Sequence, residues 1–259
     1  MTSTPVGDRL LQVTVAGGVA RLVLDSPANR NALSRGLRAQ LRAALDDALA
    51  DDAVRVVVLD HTGRVFCSGM DLSEAAGAGA GDQGVRELPD LLETIWTSPK
   101  PVVAVVRGPA RAGGVGLAAA CDVVVAAASA TFGMSEVRLG LVPAVISAVV
   151  LPRMLPHVAH RLMLTGEVFD APAAAAGGLV DLVAADGELD AAVDVQVRAL
   201  AAGSPWALAE TKRLLRAGGL RGSFDDLLEL SARAFAGDEG QEGIAAFREK
   251  RAARWVPSL

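Results

Sequence analysis

The residues with the clearest chemical potential in this chain are small ones. Gly108 to Gly116 reads Gly-Pro-Ala-Arg-Ala-Gly-Gly-Val-Gly; it follows the unbroken apolar run Pro101-Val-Val-Ala-Val-Val-Arg107 and opens into Leu117-Ala-Ala-Ala-Cys121-Asp122. A strand that breaks into small residues and then enters a helix points several free backbone N–H groups at whatever lies before that helix. Gly113 and Gly114 carry no Cβ, so a ligand reaches hydrogen-bonding distance of the main chain itself. The chemistry on offer is a cradle for an anion or an oxyanion.

Other readings of the same stretch compete with the cradle. Gly114-Val-Gly116-Leu-Ala-Ala119 fits a loose G-x-G-x-x-A dinucleotide fingerprint, and Glu136 lies about 20 residues on, where such sites place an acid. Against it, Pro109 to Ala112 separate the strand from the first of those glycines, and Glu136 falls well after the next apolar strand instead of at its end. No Gly-Lys-Ser/Thr follows, which removes the phosphate loop of nucleotide-binding proteins. The remaining alternative is a tightly packed strand-to-helix crossing that uses glycine only for close approach.

The elements that position these residues form a repeating pattern. Leu10 to Val15 and Val19 to Leu24 alternate about Ala16-Gly-Gly18, which predicts an opening hairpin. A loop from Pro27 to Asn31 follows. Ser34 then caps a helix to about Ala50, with Leu37, Leu41, Ala44, Leu45 and Ala48 on one face and the arginines and aspartates on the other. Val54 to Leu59 reads as a buried strand, Phe66 to Ser68 as a second short one, and Pro89 to Thr97 as a helix. Asp71 to Gly84 is small and loose, a mobile loop beside a site or an inert surface loop.

After the Pro101 strand and the glycine stretch, Asp122 to Ala126 and Thr131 onward give further strands. Val142 to Ser147 leads into apolar helix punctuated by Pro152 and Pro156. Beyond Gly166 the character changes: Asp170 caps a short helix, Leu179 to Val183 follows, and amphipathic helices run to about Arg254. The fold class is therefore α/β, with residues 1–204 as a core of strand, strand, helix units and 205–259 as an all-helical region suited to packing on a neighbour.

Composition bounds the function. At 259 residues the chain suits one large domain or one domain with an appendage, and 51% apolar content excludes disorder. A net charge of -5 with dispersed basic residues leaves no stripe for nucleic acid. Cys67 and Cys121 each lie in an apolar run, as buried hydrophobes in a reducing compartment and not as a disulfide. His61, His157 and His160 form no ligand set with Cys, Asp or Glu, so no metal is expected. The start, Met-Thr-Ser-Thr-Pro-Val-Gly-Asp, lacks a basic region followed by an apolar core, and stretches such as Val142 to Leu151 are too short to span a bilayer. The expectation is a soluble, cytoplasmic protein without membrane or nucleic-acid partners.

With these residues laid out, the chain resembles the enoyl-CoA hydratase/isomerase (crotonase) superfamily over essentially its whole length. Ser26-Pro-Ala-Asn-Arg-Asn-Ala-Leu33 resembles the early CoA-contact loop, Phe66-Cys-Ser-Gly-Met-Asp-Leu72 the F-x-x-G-x-D-[IL] segment, and Gly108 to Asp122 the glycine-rich segment ending in Cys-Asp. Phe132-Gly-Met-Ser-Glu136 with Leu139-Gly-Leu-Val-Pro143 looks like the catalytic loop, and Glu242 to Arg251 like the terminal helix. The five segments in order carry the resemblance together.

The resemblance implies a crotonase-like spiral of repeated β-β-α units, assembled as a homotrimer or dimer of trimers, with acyl-CoA as substrate and no cofactor beyond the coenzyme A of that substrate. It implies an oxyanion hole built from the backbone N–H groups of Met70 and Gly113 and an acid/base at Glu136. It also implies CoA and acyl contacts at Ala28, Arg30, Ser68, Asp71 and Leu72. Further contacts fall at Gly116, Ser135 and Ala144, with Phe247 and Lys250 on the terminal helix meeting the adenosine end.

Departures from the family pattern matter for the reaction. Many hydratases of the family carry two glutamates; the second matches Glu136, and the first falls on Gly116, which leaves a void for water or acyl chain. Val142 to Ser147, with Val115-Gly116, looks like the methylglutaconyl-CoA and isohexenylglutaconyl-CoA hydratase branch. The implied reaction is hydration of an enoyl-CoA. The rivals are a Δ3,Δ2-enoyl-CoA isomerase, which needs just one carboxylate, and a non-catalytic acyl-CoA-binding member. The bland alternatives are an ion pair of Glu136 with Arg138, a core anchor at Phe247 and a solvated charge at Lys250. Arg111, where apolar residues are usual, meets either an acyl carboxylate or a surface partner.

Overall fold

The computed structural model describes residues 9–75, 87–216 and 237–256. Its main sheet has six strands in the order β1-β2-β3-β4-β6-β9: Leu11–Ala16, Val19–Leu24, Val56–His61, Val102–Val106, Val123–Ala127 and Leu182–Ala184. Only β1 runs antiparallel to its neighbour, closed by the expected hairpin; every other pairing is parallel. A parallel sheet is covered on both faces, which is why β4 and β6 read as unbroken apolar runs and β3 as one from Val56 to Leu59.

Alternation along each strand divides the core. Val57, Leu59, Val102, Ala104, Val106, Val124 and Ala126 enter the large cluster beneath the helices of the site. Val56, Val58, Val103, Val105 and Val125 face the other way, against α8 (Leu189–Ala201). That helix offers Leu189, Val193, Val197 and Ala201, four apart and so on one stripe.

Each of β4 and β6 continues into a short segment of a second layer, where β5 (Ala110–Arg111), β7 (Thr131–Gly133) and β8 (Val168–Asp170) form a three-stranded sheet. The bridges Leu33 to Met70 and Cys67 to Ala110 extend that layer as two further rungs. The segment Phe66 to Ser68, expected as a strand, is thus reduced to an isolated bridge at Cys67, because Gly69 turns the chain at φ 95°. Only glycine adopts that backbone readily.

Helix α1 (Arg35–Ala50) is capped as expected, the Ser34 hydroxyl accepting from Leu37 N at 3.3 Å. One residue corrects the sequence reading: Arg38 is buried with the apolar stripe, not on the charged face. Helix α2 (Leu72–Ala75) precedes residues 76–86, so most of the loop expected from Asp71 to Gly84 lies outside the described residues. Helices α3 (Glu87–Thr97), α4 (Gly113–Ala120), α5 (Ala144–Arg153), α6 (Pro156–Thr165) and α7 (Ala171–Ala176) follow. All eight residues of α4 are buried, and Pro152 sits in the last turn of α5.

The helical region from Pro205 is tied to the core. Lys212, on α9 (Pro205–Arg216), donates to Asp122 Oδ2 at 2.7 Å and Ile95 O at 3.0 Å, and the Arg216 guanidinium lies 3.4 Å from the Trp96 ring centre. Arg55 donates to Gly203 O and to Trp255 O, the latter beyond the helix Asp238–Glu249. No helix among the described residues is long and apolar enough to cross a membrane.

Candidate active site

The rungs of the second layer bring three chain segments together. Arg111 N donates to Cys67 O at 2.9 Å and Ala112 N to Gly133 O at 2.9 Å, so the stretches leading to Met70, Gly113 and Glu136 run side by side. A Cβ built on Gly69 would lie 3.0 Å from Ala112 Cβ and 3.5 Å from Gly113 N, which sets the Met70 and Gly113 peptides against one another.

The direction of each amide follows from peptide planarity. In a trans peptide the C=O and the following N–H point opposite ways. Gly69 O accepts Leu33 N at 2.8 Å, which turns the Met70 N–H to the other side. Ala112 O accepts Val115 N at 2.9 Å and Gly116 N at 3.1 Å inside α4, which turns the Gly113 N–H out of the helix start. Among the described residues neither amide donates to a backbone acceptor. Ala112 is held at φ 47°, unusual for a residue with a side chain, to make this entry. The Leu33 and Leu88 side chains reach within 3.0 and 3.7 Å of the Cβ direction of Gly113, giving the amides an apolar roof.

Glu136 begins the 3-10 turn Glu136–Leu139, half-buried, and its Oε2 is buried without a hydrogen-bond partner. Burial holds its carboxyl above the ordinary value of 4.5. The ion pair with Arg138 does not form: Arg138 Nε donates to Thr165 O at 2.9 Å. Ser135 stands half-buried at the cap of this turn without a side-chain capping bond. Ala144 is exposed at the start of α5.

Gly116 is not the expected void. A Cβ there would meet Ile146 Cγ2 at 2.6 Å and Leu92 Cδ1 at 3.6 Å, so α5 and α3 already fill the space. Arg111 pairs with no acid among the described residues and is held within the second layer instead. Its guanidinium donates to Thr131 O at 2.8 Å, Thr131 Oγ1 at 2.9 Å and Ala110 O at 2.9 Å, and burial lowers its pKa.

The early loop packs on the Met70 segment. Ser68 N donates to Arg30 O at 3.1 Å, and Asn29 Nδ2 donates to Asp71 Oδ2 at 3.3 Å. Ala28 and Arg30 are exposed there. Asp71 is occupied locally: hydrogen bonds from Ser73 hold its carboxyl below the usual carboxylate range. Leu72 opens α2, and Phe247 lies within the helix Asp238–Glu249; their side chains lie outside the described residues. Lys250 is exposed but past that helix, at φ 54°, so helical spacing does not align it with Phe247. Cys67 and Cys121 are inert, burial pushing both thiols up to about 12.

Residues that the sequence reading passed over complete the scaffold. Asn31, buried at φ 53°, donates to Thr62 O at 3.0 Å and Val65 O at 2.8 Å and accepts Ser26 N at 2.8 Å. Asparagine tolerates the left-handed region, and an Asn after Pro-Ala-Asn-Arg is a turn signal that could have identified it. Arg38 occupies the i+4 slot after Ser34 in the stripe that continues through Leu41 and Leu45; strict helical periodicity would have placed it inside.

A family model described as enoyl-CoA hydratase/isomerase matches residues 14–257. Two relatives are an Alternaria alternata protein named enoyl-CoA hydratase ACTT6, 35% identical over 92% of this chain and 80% of its own, and an Escherichia coli protein named 2,3-dehydroadipyl-CoA hydratase, 34% identical over 90% and 93%. The crystal structure of an enoyl-CoA hydratase from Shewanella pealeana superposes with a TM-score of 0.89 at 34% identity, covering 95% of this chain and 96% of that one.

Proposed function

The chain belongs to the enoyl-CoA hydratase/isomerase family and has its crotonase fold, and from that premise we propose that it is a lyase adding water across the 2,3 double bond of an enoyl-CoA thioester. The observation that carries this reading is Glu136 Oε2, buried without a partner and with its carboxyl raised by burial. A carboxylate left uncompensated beside a ligand site is poised to exchange protons.

In the proposed reaction the thioester oxygen sits between the Met70 and Gly113 N–H groups. Glu136 takes a proton from water as its oxygen bonds to C3, and the double-bond pair moves onto the thioester as an enolate. The enolate then takes the proton from Glu136 at C2, and the carboxylate is regenerated. Charge on the thioester oxygen develops only during this addition, so the two donors stabilise the transition state more than the substrate. The start of α4 and the apolar roof of Leu33 and Leu88 strengthen that effect.

The exposed loop with Ala28 and Arg30, next to Ser68, serves the CoA moiety in this reading, and coenzyme A enters only as part of the substrate. Leu139, Leu141 and Val142 are exposed beside Glu136, which favours a homotrimer or dimer of trimers in which another copy covers them and the Phe247 and Lys250 segment completes the CoA site.

One observation favours a second reading. The packing of Ile146 against Gly116 leaves no volume for a second carboxylate, and a Δ3,Δ2-enoyl-CoA isomerase shuttles one proton between C4 and C2 with one. Incubation with a panel of 2-enoyl and 3-enoyl-CoA esters in deuterated water, read by mass spectrometry, separates the readings. Gain of a water mass supports the hydratase; a shifted double bond without it supports the isomerase. Tight ester binding with neither product and no C2 exchange overturns both.

A further inference from the structure

We propose that Arg38 is a positioning residue for the oxyanion hole, acting through Leu33 on the peptide that carries the Met70 amide; this rests on the reading of Met70 and Gly113 as thioester donors. The Arg38 side chain is 2% exposed. Its Nη1 donates to Leu33 O, its Nε donates to Glu87 Oε2 at 3.1 Å, and Glu74 Oε2 lies 3.9 Å from Nη1. Nη2 is buried with no hydrogen-bond partner.

Leu33 is the link. Its C=O is held by Arg38, its N–H holds Gly69 O at 2.8 Å, and it bridges to Met70. Its side chain also approaches the Cβ direction of Gly113 at 3.0 Å. One residue therefore binds the Met70 peptide and packs its side chain beside Gly113, and a buried guanidinium fixes its orientation. The same guanidinium ties α1 to Glu74 in α2 and to Glu87 at the start of α3, the two helices that follow the Met70 turn in sequence.

A plain stabilising contact would not need this chemistry, because well-packed apolar residues serve as well as a buried ion pair or better. Among the described residues only two buried side-chain atoms lack hydrogen-bond partners, Arg38 Nη2 and Glu136 Oε2. Unsatisfied buried groups in folded proteins call for a specific explanation, and Arg38 reaches the Met70 turn through Leu33. The planar fork of arginine donates to Leu33 O and Glu87 together at fixed angles, which a lysine does not reproduce.

The test compares Arg38→Met and Arg38→Lys with the parent by thermal melting, by kcat and KM on an enoyl-CoA ester, and by the vibrational frequency of the carbonyl of a bound, unreactive acyl-CoA thioester. Hydrogen bonds into the carbonyl oxygen lower that frequency, so it reads the two amides directly. Both variants are expected to lose kcat by about tenfold or more with KM little changed, as befits a loss felt mainly in the transition state. The bound carbonyl is expected to move back towards its solution frequency in each. A parent-like frequency in a folded variant, whatever its melting temperature, overturns the proposal. If neither Arg38 variant folds, Glu87→Gln alters only the exposed partner: a partial return of the frequency supports the proposal and a parent-like value overturns it. A parent protein that leaves the carbonyl at its solution frequency overturns the oxyanion reading itself and Arg38 with it.

Discussion

A Cβ on Gly116 would lie 2.6 Å from Cγ2 and 3.1 Å from Cβ of Ile146, with Leu92 Cδ1 behind it at 3.6 Å. Ile146 is β-branched and 3% exposed, so it has no free rotamer to vacate the space. The contact lies one helical turn beyond the Gly113 amide and makes the wall on that side of the site apolar and full. Gly116→Glu is accordingly expected to lower stability by about 1–3 kcal/mol through overpacking, with a further cost from an unpaired buried carboxylate. Adding Ile146→Ala should restore part of the melting temperature and open space for the new carboxylate. A single Gly116→Glu variant as stable as the parent would show that α4 and α5 are not in firm contact here.

Glu136→Gln keeps the shape of the side chain and removes its proton. Turnover is expected to fall by about 10²- to 10⁴-fold, while binding of an acyl-CoA ester, measured by calorimetry, stays near the parent value. Near-parental turnover would assign proton transfer to another group.

The raised carboxyl of Glu136 also ties stability to pH. Because its folded value lies above the ordinary 4.5, the protonated form is favoured by folding. The corresponding stability is complete below 4.5 and is lost as pH rises through the folded value. Glu136→Gln should therefore melt higher than the parent at about pH 7, with the difference closing near about pH 4. The acid limb of kcat/KM should fall at a pH above 4.5, since the base must be ionised. Melting curves that keep a constant offset between the two proteins across this range would contradict the burial effect.

Gly69 stands at φ 95°, and a Cβ there would press on Ala112 Cβ at 3.0 Å and Arg111 O at 3.3 Å. Gly69→Ala should displace the Met70 amide and reduce kcat by about 10²-fold or more, with KM less affected. Steady-state kinetics on the folded variant test this, and an unchanged kcat would remove Met70 from the oxyanion hole.

Much of this architecture was legible from residue patterns. Apolar runs such as Val102–Val106 announced strands buried on both faces, and glycines before Leu117 announced a helix start offering amides. The short rungs were not legible, because Cys67 and Met70 are fixed by single bridges to Ala110 and Leu33, which no local periodicity encodes. Gly116 was misread for a related reason: a glycine in sequence looks like empty space, and only the arrival of Ile146 from α5 shows that the space is filled. Arg38 was misplaced because charge was weighed above its position in the apolar stripe of α1.

A buried lysine and its acceptors hold the helical region onto the core. Lys212 lies 8% exposed and donates to Ile95 O at 3.0 Å, Ser98 Oγ at 3.2 Å and Asp122 Oδ2 at 2.7 Å. Burial lowers its pKa while Asp122 works in the opposite direction. Asp122 in turn accepts Val102 N at 2.8 Å and Arg216 Nη2 at 3.1 Å. Lys212→Met would leave the end of α3 with unsatisfied acceptors and Asp122 with only part of its compensation. Removing one partner of a buried pair commonly costs about 3–5 kcal/mol; with Arg216 still facing Asp122, about 2–3 kcal/mol is expected on the same basis. The loss should be local first, so amide hydrogen exchange across Pro205–Arg216 should quicken before that of β3 or β4. Arg216→Ala, which removes the outer cation and its stacking on Trp96, should show the same pattern more weakly. If exchange in α9 stays at the parent rate in Lys212→Met, the helix is held by its apolar contacts and the lysine contributes little.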